Sequence, residues 1–424
     1  MKKILCVILS ILMMCPLMTA CGDQKQPENS LIIWRAVGRS YMLDSVIKAY
    51  KEKYPDVNLI IENVEVSNNE DFFEGFAKKL GTALMSGNGP DIIELTSLEQ
   101  NYDITKMMKS GVFADMTGFY DTDSEFNKSD LFQGVMDCGV YDGKRYVFPH
   151  SFMMPLALTS TSMIEKTGFD KSKCTDFSKF IDEVYPIIEK SKADKTAPVA
   201  FDTWYALRLV VHAAGADMIN YKNESVSVDT SEFKKAMEFY KKIYAVTKNS
   251  KTDIYNFMEP DFTRAVFTDF SFESFTSFIS AAKNIQSRGE NPVIVPVRSN
   301  DGKLRVKLDT CFGVSSNSKN KQNAWNFIKL SLSEEIMSAW EACLGTPISR
   351  AAFQDKLTQN GVEVLPQAFI DEYMALNNEI STGFFFSSNM IKVDTIMMKY
   401  WNDEKSLDDC IKEAQDQLEI YISE

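Results

Sequence analysis

The stretch Leu80–Leu95, LGTALMSGNGPDIIEL, decides the fold class, because a helix end, a turn and a strand follow one another within it. Its apolar residues up to Met85 continue a stripe with helical spacing. The glycines that follow supply turn geometry, and Pro90 prevents the helix from continuing. Residues 91–95, DIIEL, predict a short buried strand with polar groups at its carboxyl end, where open α/β sheets bind ligands.

The segments on either side of this stretch extend the same alternation. Residues 31–34 and 57–64 are short apolar runs typical of strands, and residues 41–54 and 70–86 have helical spacing. Strand, helix, strand, helix, strand is βαβ alternation, which predicts a parallel sheet with right-handed crossovers. The sequence therefore indicates an α/β protein.

Length and composition favour a large acidic protein with more than one domain. The chain has 424 residues, 45% of them hydrophobic, and a formal net charge of −13. This length is sufficient for two or more domains of ordinary size. Because no basic cluster is present, we expect no nucleic-acid partner.

The amino terminus carries targeting information. After two lysines, the apolar run 4–17 is too short to span a membrane as a mature helix. The small residues before Cys21 resemble a bacterial lipoprotein box. That resemblance implies a signal peptide at 1–20, a lipid on Cys21 and a polar tether at 21–30; a plain secretory signal is the alternative. We expect a protein on the extracellular face of the cell membrane, held by its lipid alone.

The sequence contains no recognisable metal or catalytic motif. The five cysteines after Cys21 include no CxxC pair, so we expect isolated thiols. The two histidines, His150 and His212, lie in no metal-binding or nucleophile pattern. The acidic run from Asp121 lacks the glycine and the closing glutamate of an EF-hand, with Phe132 at the closing position. We predict no cofactor, no metal and no catalytic residues.

Several segments, in order, resemble the extracellular solute-binding proteins of ABC importers, in the cluster with maltose- and oligosaccharide-binding proteins. These segments are 31–34 with 48–59, 80–93, 142–149 with 163–168, 312–330 with 344–350, and 406–418. Two segments depart from the family pattern. Residues 158–161 read LTST where Tyr-Asn is common, and residues 265–272 lack the glycine of a Gly-aromatic turn. Because both departures fall where ligand contacts are expected, the substrate of a relative does not transfer.

The resemblance implies a two-lobed periplasmic-binding-protein-like fold with discontinuous lobes and a hinge. We place the first lobe at 31–148 plus 289–344 and the second at 149–288 plus 345–424. The implied function is a monomeric, non-enzymatic receptor that binds a sugar or oligosaccharide in the interlobe cleft and delivers it to ABC permease subunits. Alternatives are a peptide, polyamine or organic phosphate ligand in the same fold, a secreted glycan-active enzyme, and a lipoprotein that only docks other proteins.

Sugar sites combine aromatic faces that stack on pyranose rings with polar side chains that bind hydroxyl groups. The candidate aromatic contacts are Trp34, Trp204, Tyr205, Phe272 and Phe386. The candidate polar contacts are Arg35, Glu94, Ser97, Asp202 and Asp269. For Trp34, a place in the core fits the sequence equally well.

Overall fold

The protein is described by a computed structural model. It covers residues 28–36, 41–64, 72–95, 98, 102–194, 199–201, 218–247, 265–267, 269–271, 275–338, 345–385 and 387–423. Helices and sheets form two hydrophobic cores. A small sheet made by strands that cross between the lobes contributes Phe152, Val306 and Leu308 to the first of these cores. The predicted α/β class and two-lobed fold are confirmed.

The helices, in chain order, are α1 Tyr41–Lys53, α2 Phe72–Met85, α3 Ile104–Lys109, α4 Thr117–Thr122, α5 Gln133–Met136, α6 Thr161–Thr167, α7 Phe177–Ala193, α8 Ser231–Thr247, α9 Phe275–Ser287, α10 Lys321–Ser331, α11 Glu334–Ser338, α12 Arg350–Gln359, α13 Gln367–Glu379, α14 Ser388–Trp401 and α15 Leu407–Ser423. The strands are β1 Ser30–Ala36, β2 Asn58–Val64, β3 Ile92–Glu94, β4 Val140–Tyr141, β5 Lys144–Arg145, β6 Val147–Pro149, β7 Ser151–Met153, β8 Leu156–Ser160, β9 Val199–Phe201, β10 Ile219–Asn220, β11 Ser225–Val226, β12 Ala265–Phe267, β13 Asp269–Ser271, β14 Pro292–Pro296, β15 Arg305–Leu308, β16 Cys311–Val314, β17 Thr346–Pro347 and β18 Thr382–Phe384.

The first lobe is built on a five-stranded sheet of order β2-β1-β3-β16-β6. Strands β1, β2 and β3 are parallel, as the βαβ alternation predicts. The last two pairings, β3 with β16 and β16 with β6, are antiparallel, so the sheet is mixed rather than wholly parallel. Strand β16 comes from more than 200 residues farther along the chain, where local alternation gives no information on direction.

The turn after α2 fixes the position of β3 beside β1. Gly87 has φ 74°, a left-handed conformation that glycine adopts without steric cost. The backbone N–H of the buried Asp91 donates to Ile32 O at 2.8 Å, and the Ile32 N–H donates to Asp91 Oδ2 at 2.7 Å. This side chain therefore replaces a ladder hydrogen bond at the start of β3.

The second lobe contains an antiparallel sheet of order β13-β8-β14 with helices on both faces. Along β8, Leu156 and Leu158 face the core shared with α9 and α13, whereas Ala157 faces the core that contains α7, α8, α14 and α15. Such alternation is the period-2 pattern of a strand buried on both sides. Because β14 pairs with β8, residues 292–296 share a sheet with a strand that the sequence assigns to the second lobe, and the boundary at residue 289 stays a prediction.

The segments that cross between the lobes form a sheet of order β17-β7-β15-β18. His150, just before β7, ties three of them together through its backbone. Its N–H donates to Thr310 O at 2.7 Å, and its carbonyl accepts from the Ile348 N–H at 2.9 Å. The hinge predicted from the family is therefore a hydrogen-bonded strand assembly and not a loose linker.

Within the described parts of the chain, no helix is long and apolar enough to cross a membrane. Cysteines 138, 174, 311 and 410 form no disulfide, and three of them are buried, as expected for isolated thiols. Cys343 lies outside the described residues. Over these same ranges, no group of three or more His, Cys, Asp or Glu side chains is placed to hold a metal ion.

Candidate functional site

A cavity of about 470 Å³ lies between the two lobes. Small-molecule sites typically measure about 300–1,000 Å³. The first lobe contributes α3 and the β4–β5 hairpin to its walls, and the second lobe contributes the β10–β11 hairpin and the amino end of α14. Strands β15 and β18 of the crossing sheet complete it. A ligand in this cavity contacts both lobes and the hinge at once.

Asp103 is the polar centre of the cavity wall. Its Oδ1 accepts the Lys106 N–H at 3.0 Å and so caps α3, which is the usual role of an aspartate at this position. Its Oδ2 accepts hydrogen bonds from two hydroxyl groups of the second lobe, those of Tyr221 and Ser387. The side chain is 7% exposed, so these bonds form in a largely desolvated setting. One carboxylate thus joins the two lobes.

The ionisation of Tyr221 fits this arrangement. Burial raises its pKa far above the ordinary value, and the neighbouring Asp103 carboxylate raises it further. The hydroxyl therefore stays protonated and remains a hydrogen-bond donor to Asp103 at any physiological pH.

Two more contacts link α3 to the second lobe. Lys106 Nζ donates to Tyr421 O at 2.9 Å and lies 4.2 Å from the centroid of the Tyr421 ring. Lys109 Nζ pairs with Glu224 at 2.5 Å, but that carboxylate is 66% exposed. The exposed Lys109–Glu224 ion pair is screened by solvent, so the contacts of Asp103 and Lys106 contribute most to holding α3 against the second lobe.

The rest of the cavity lining is largely aromatic and apolar. Phe384 and Phe385 follow Gly383 along the edge of the cavity, and Tyr141 approaches from the β4–β5 hairpin. The guanidinium carbon of Arg305 lies 5.4 Å from the Phe384 ring centroid, within cation–π range. Three methionines also line the cavity: Met108, Met218 and Met390. The aromatic rings offer flat surfaces to a ligand, and the methionines offer adaptable ones.

Asn389, the second residue of α14, lines the cavity with an unsatisfied side chain. It is 2% exposed, and neither Nδ2 nor Oδ1 has a hydrogen-bond partner among the described residues. Its amide is near enough to the Tyr221 hydroxyl to oppose the rise in that group's pKa, yet it does not reach hydrogen-bond geometry. A buried amide in this state is costly unless another molecule completes its bonds.

The predicted contact residues are only partly within the described chain. Ser97, Asp202, Trp204, Tyr205, Phe272, Phe386 and the lipidation residue Cys21 lie outside it. Arg35 and Asp269 are placed in β1 and β13 by their backbones. Glu94 ends β3 opposite Phe312. Neither Glu94 nor Trp34 lines the interlobe cavity.

Trp34 occupies a separate groove under α2. The side chain is 7% exposed, and Lys79 Nζ lies 5.3 Å from its ring centroid. The groove is lined by α2 residues and Asn88. The sequence fits either a core position or a ligand contact for Trp34. Among the described residues, the core position fits Trp34 better than a place in the cavity.

Sequence reasoning did not select Asp103, Tyr221, Arg305 or Asn389. Asp103 and Ser387 do carry a signal, because each stands directly before a helix, but it indicates a cap and not a ligand site. No local pattern reveals that the two caps meet across the lobes. The neighbours of the predicted Phe386, Phe384 and Phe385, do line the cavity.

His150 and Ser331 form a close histidine–serine pair that resembles part of a catalytic site. His150 Nε2 lies 2.7 Å from Ser331 Oγ, and Nδ1 lies 2.9 Å from Phe148 O. Because a carbonyl only accepts, Nδ1 carries the proton in the neutral ring. The single Ser331 hydroxyl proton lies within reach of both Nε2 and Ile328 O, each 2.7 Å from Oγ. Burial lowers the pKa of His150 to about 3. Both residues are completely buried and neither lines the cavity, so the pair is structural.

Comparison with solved structures supports the two-lobed fold. An ABC substrate-binding protein from Listeria monocytogenes in complex with cycloalternan has a TM-score of 0.59 at 16% identity, covering 93% of this chain and 99% of that one. The sugar-binding protein MalE from Xanthomonas citri gives 0.64 at 13%, with coverage of 93% and 97%. A periplasmic oligogalacturonide-binding protein from Yersinia enterocolitica gives 0.63 at 14%, with coverage of 93% and 99%.

Sequence comparison identifies the family. An uncharacterized ABC transporter extracellular-binding protein from Pyrococcus horikoshii is 20% identical over 218 residues. That match spans 49% of this chain and about half, 46%, of the relative. Residues 45–366, well over half of the chain, match the family model described as bacterial extracellular solute-binding protein. The chain belongs to the bacterial extracellular solute-binding protein family.

Proposed function

We propose that this protein is the receptor of an ABC importer and binds a sugar or short oligosaccharide in the interlobe cavity. The observation that carries the proposal is the cavity itself, whose lining combines polar groups with aromatic rings. Sugars present apolar ring faces and polar edges, so a site of this kind complements them. The volume of about 470 Å³ favours a short ligand over a long polysaccharide chain.

The structural relatives support the same class of ligand. Two of them are complexes with cycloalternan and mannotriose, and others are a sugar-binding protein, a cyclic α-maltosyl-1,6-maltose-binding protein and an oligogalacturonide-binding protein. At identities of 13–16%, the likeness to these proteins shows the fold alone. The particular sugar is therefore a matter for experiment.

Ligand binding in the cavity favours the closed arrangement of the lobes, because a ligand shifts an equilibrium toward the state that it contacts most. The closed form then presents both lobes to the permease. The lipid on Cys21 and the tether at 21–30 keep the receptor at the extracellular face of the membrane. We propose a monomer, since one chain supplies both walls of the cavity.

The lipid anchor has its own test. Cys21→Ser removes the thiol that accepts the lipid, so the variant should move from the membrane fraction to the culture medium or soluble fraction. Retention of the variant at the membrane would contradict lipid attachment at Cys21.

The alternative of a glycan-active enzyme has less support. Glycosidases of the common kind need two carboxyl groups facing each other across the substrate. Among the described residues that line the cavity, Asp103 is the one carboxylate, and it already accepts three hydrogen bonds. We propose a receptor that binds without turnover.

Thermal unfolding of the chain from residue 22 onward tests the function. The probes are maltotriose, mannotriose, D-tagatose and trigalacturonate, with a tripeptide and spermidine as non-sugar probes. A hundredfold excess over the dissociation constant stabilises a protein by about 2.7 kcal/mol. A shift with a sugar and without product formation supports the proposal. A shift with the tripeptide or spermidine alone would mean that the ligand is of that class and not a sugar. Product formation would contradict the receptor role.

A further inference from the structure

The side chain of Asn389 is the strongest unexplained feature of the cavity. It is 2% exposed, it lines the cavity, and its two polar atoms have no partner in the described chain. Native proteins leave few buried polar groups unpaired, and each one that remains is explained by strain, by a function or by a bound water or ion. Nothing in the fold requires an amide here, because the cap of α14 uses the Ser387 side chain and the Asn389 backbone N–H instead.

The chemistry of an amide limits what can complete its bonds. Nδ2 offers donors and Oδ1 offers acceptors, side by side and in one plane. A partner that presents an acceptor and a donor at the same spacing satisfies both atoms together. Two hydroxyl groups on adjacent carbons of a sugar ring have this arrangement.

The surroundings orient such a ligand. The Tyr221 hydroxyl is already committed to Asp103, and that carboxylate also accepts from Ser387. These groups hold the wall beside Asn389 in place without using its amide. The rings of Phe384 and Phe385 line the same cavity and offer a stacking surface.

We infer that Asn389 is the specificity-determining residue of the interlobe cavity, where its side-chain amide binds a vicinal hydroxyl pair of the sugar. This inference rests on the proposed function and adds to it a residue and a ligand group. A site built to bond hydroxyl groups strongly disfavours analogues that lack them.

The test compares Asn389→Leu with a matched control, Asn377→Leu, in the chain from residue 22 onward. Asn377 has the same 2% exposure and also has an unpartnered Oδ1, but it lies on α13 and does not line the cavity. Leucine is close to asparagine in size and shape. Dissociation constants are measured by calorimetry for whichever of maltotriose, mannotriose, D-tagatose and trigalacturonate stabilises the wild type.

The expected result is a dissociation constant about 10- to 100-fold higher for Asn389→Leu, with a melting temperature without sugar that is unchanged or higher. Asn377→Leu should bind as the wild type does, with a lower melting temperature, because it loses the bond from Nδ2 to Tyr373 O. Wild-type affinity in Asn389→Leu would overturn the inference. So would a lower melting temperature of that variant with intact sugar binding, since that result assigns the amide to the fold.

A second variant covers the case in which leucine prevents folding. Asn389→Asp keeps the shape of the side chain, replaces the donor group with an acceptor, and should also weaken binding at least tenfold. Unchanged affinity in Asn389→Asp would overturn the inference independently. If no sugar stabilises the wild type, the proposed function fails and the inference fails with it.

Discussion

The Ser387 hydroxyl donates to Asp103 Oδ2 at 3.1 Å while it accepts the Asn389 backbone N–H at 3.2 Å. One side chain therefore caps α14 in the second lobe and attaches it to the cap of α3 in the first. The interlobe contact is made between two helix amino termini, where an acidic side chain is favoured by the exposed N–H groups and the helix dipoles.

Removing the Asp103 carboxylate should open the protein. In Asp103→Ala, Tyr221 and Ser387 lose their shared acceptor, and hydrogen bonds to a charged group contribute about 1.5–3 kcal/mol each. The closed state is weakened more than the open one. The measurement is the radius of gyration by small-angle X-ray scattering, which should increase in the variant.

Asp176→Ala is the matched control for this experiment. Asp176 caps α7 through the Lys179 N–H at 2.9 Å, as Asp103 caps α3, but it has no hydrogen bond to the other lobe among the described residues. Both variants lose a cap worth about 1 kcal/mol. An equal radius of gyration in the two variants would contradict the role of Asp103 in lobe attachment.

Tyr221 and Asp103 should be energetically coupled. Tyr221→Phe removes the donor, Asp103→Ala removes the acceptor, and the double variant should cost less than the sum of the two single ones. We expect an interaction term of about 1–3 kcal/mol in the free energy of unfolding or of sugar binding. Strict additivity would show that the hydrogen bond contributes nothing.

His150 should make stability depend on pH. Its folded pKa of about 3 is below the ordinary value of 6.5, so the unfolded chain binds a proton more readily at intermediate pH. The stabilisation from neutral His150 is complete above pH 6.5 and is lost as pH falls toward 3. Between pH 7 and pH 5, the difference in unfolding free energy between wild type and His150→Gln should shrink by about 2 kcal/mol. Parallel pH profiles of the two proteins in urea unfolding would contradict this assignment.

Gly134 should not tolerate a side chain. A Cβ at this position would lie 1.8 Å from the Ile380 carbonyl oxygen, which is backbone and cannot move aside. We expect Gly134→Ala to destabilise the protein by about 3 kcal/mol or more. Gly118, near the start of α4, has nothing within 4 Å of such a Cβ. Gly118→Ala should be neutral or stabilising by up to about 1 kcal/mol in the same thermal melts.

The sequence predicts the local parts of this fold well. The strand–helix alternation from β1 to β3 is encoded in neighbouring residues. Gly87 and the proline after it are themselves the residue types that predict the turn. The antiparallel insertion of β16 and the pairing of β14 with β8 are contacts between distant segments. Periodicity within a window carries no record of them, which is why the sequence predicts the parallel β1–β3 portion of the sheet but neither the antiparallel β16 nor the pairing of β14 with β8.

The site is less predictable for the same reason. Asp103, Tyr221 and Asn389 come from three segments separated by more than a hundred residues each, and each fits an ordinary role when considered alone. Only in the folded chain does Asp103, the cap of α3, bond Ser387, the cap of α14. Only there is the Asn389 amide left without a partner. Most of the aromatic candidates, including Trp204 and Phe272, lie outside the described residues and stay predictions.

The central claim is that a sugar binds between the lobes, and calorimetric titration of the wild-type chain with maltotriose, mannotriose, D-tagatose and trigalacturonate tests it most directly. The account predicts that one of these sugars binds with 1:1 stoichiometry, forms no product, and binds more weakly to Asp103→Ala, because that variant favours the open state. No binding of any sugar, or equal binding to the wild type and Asp103→Ala, would contradict the claim.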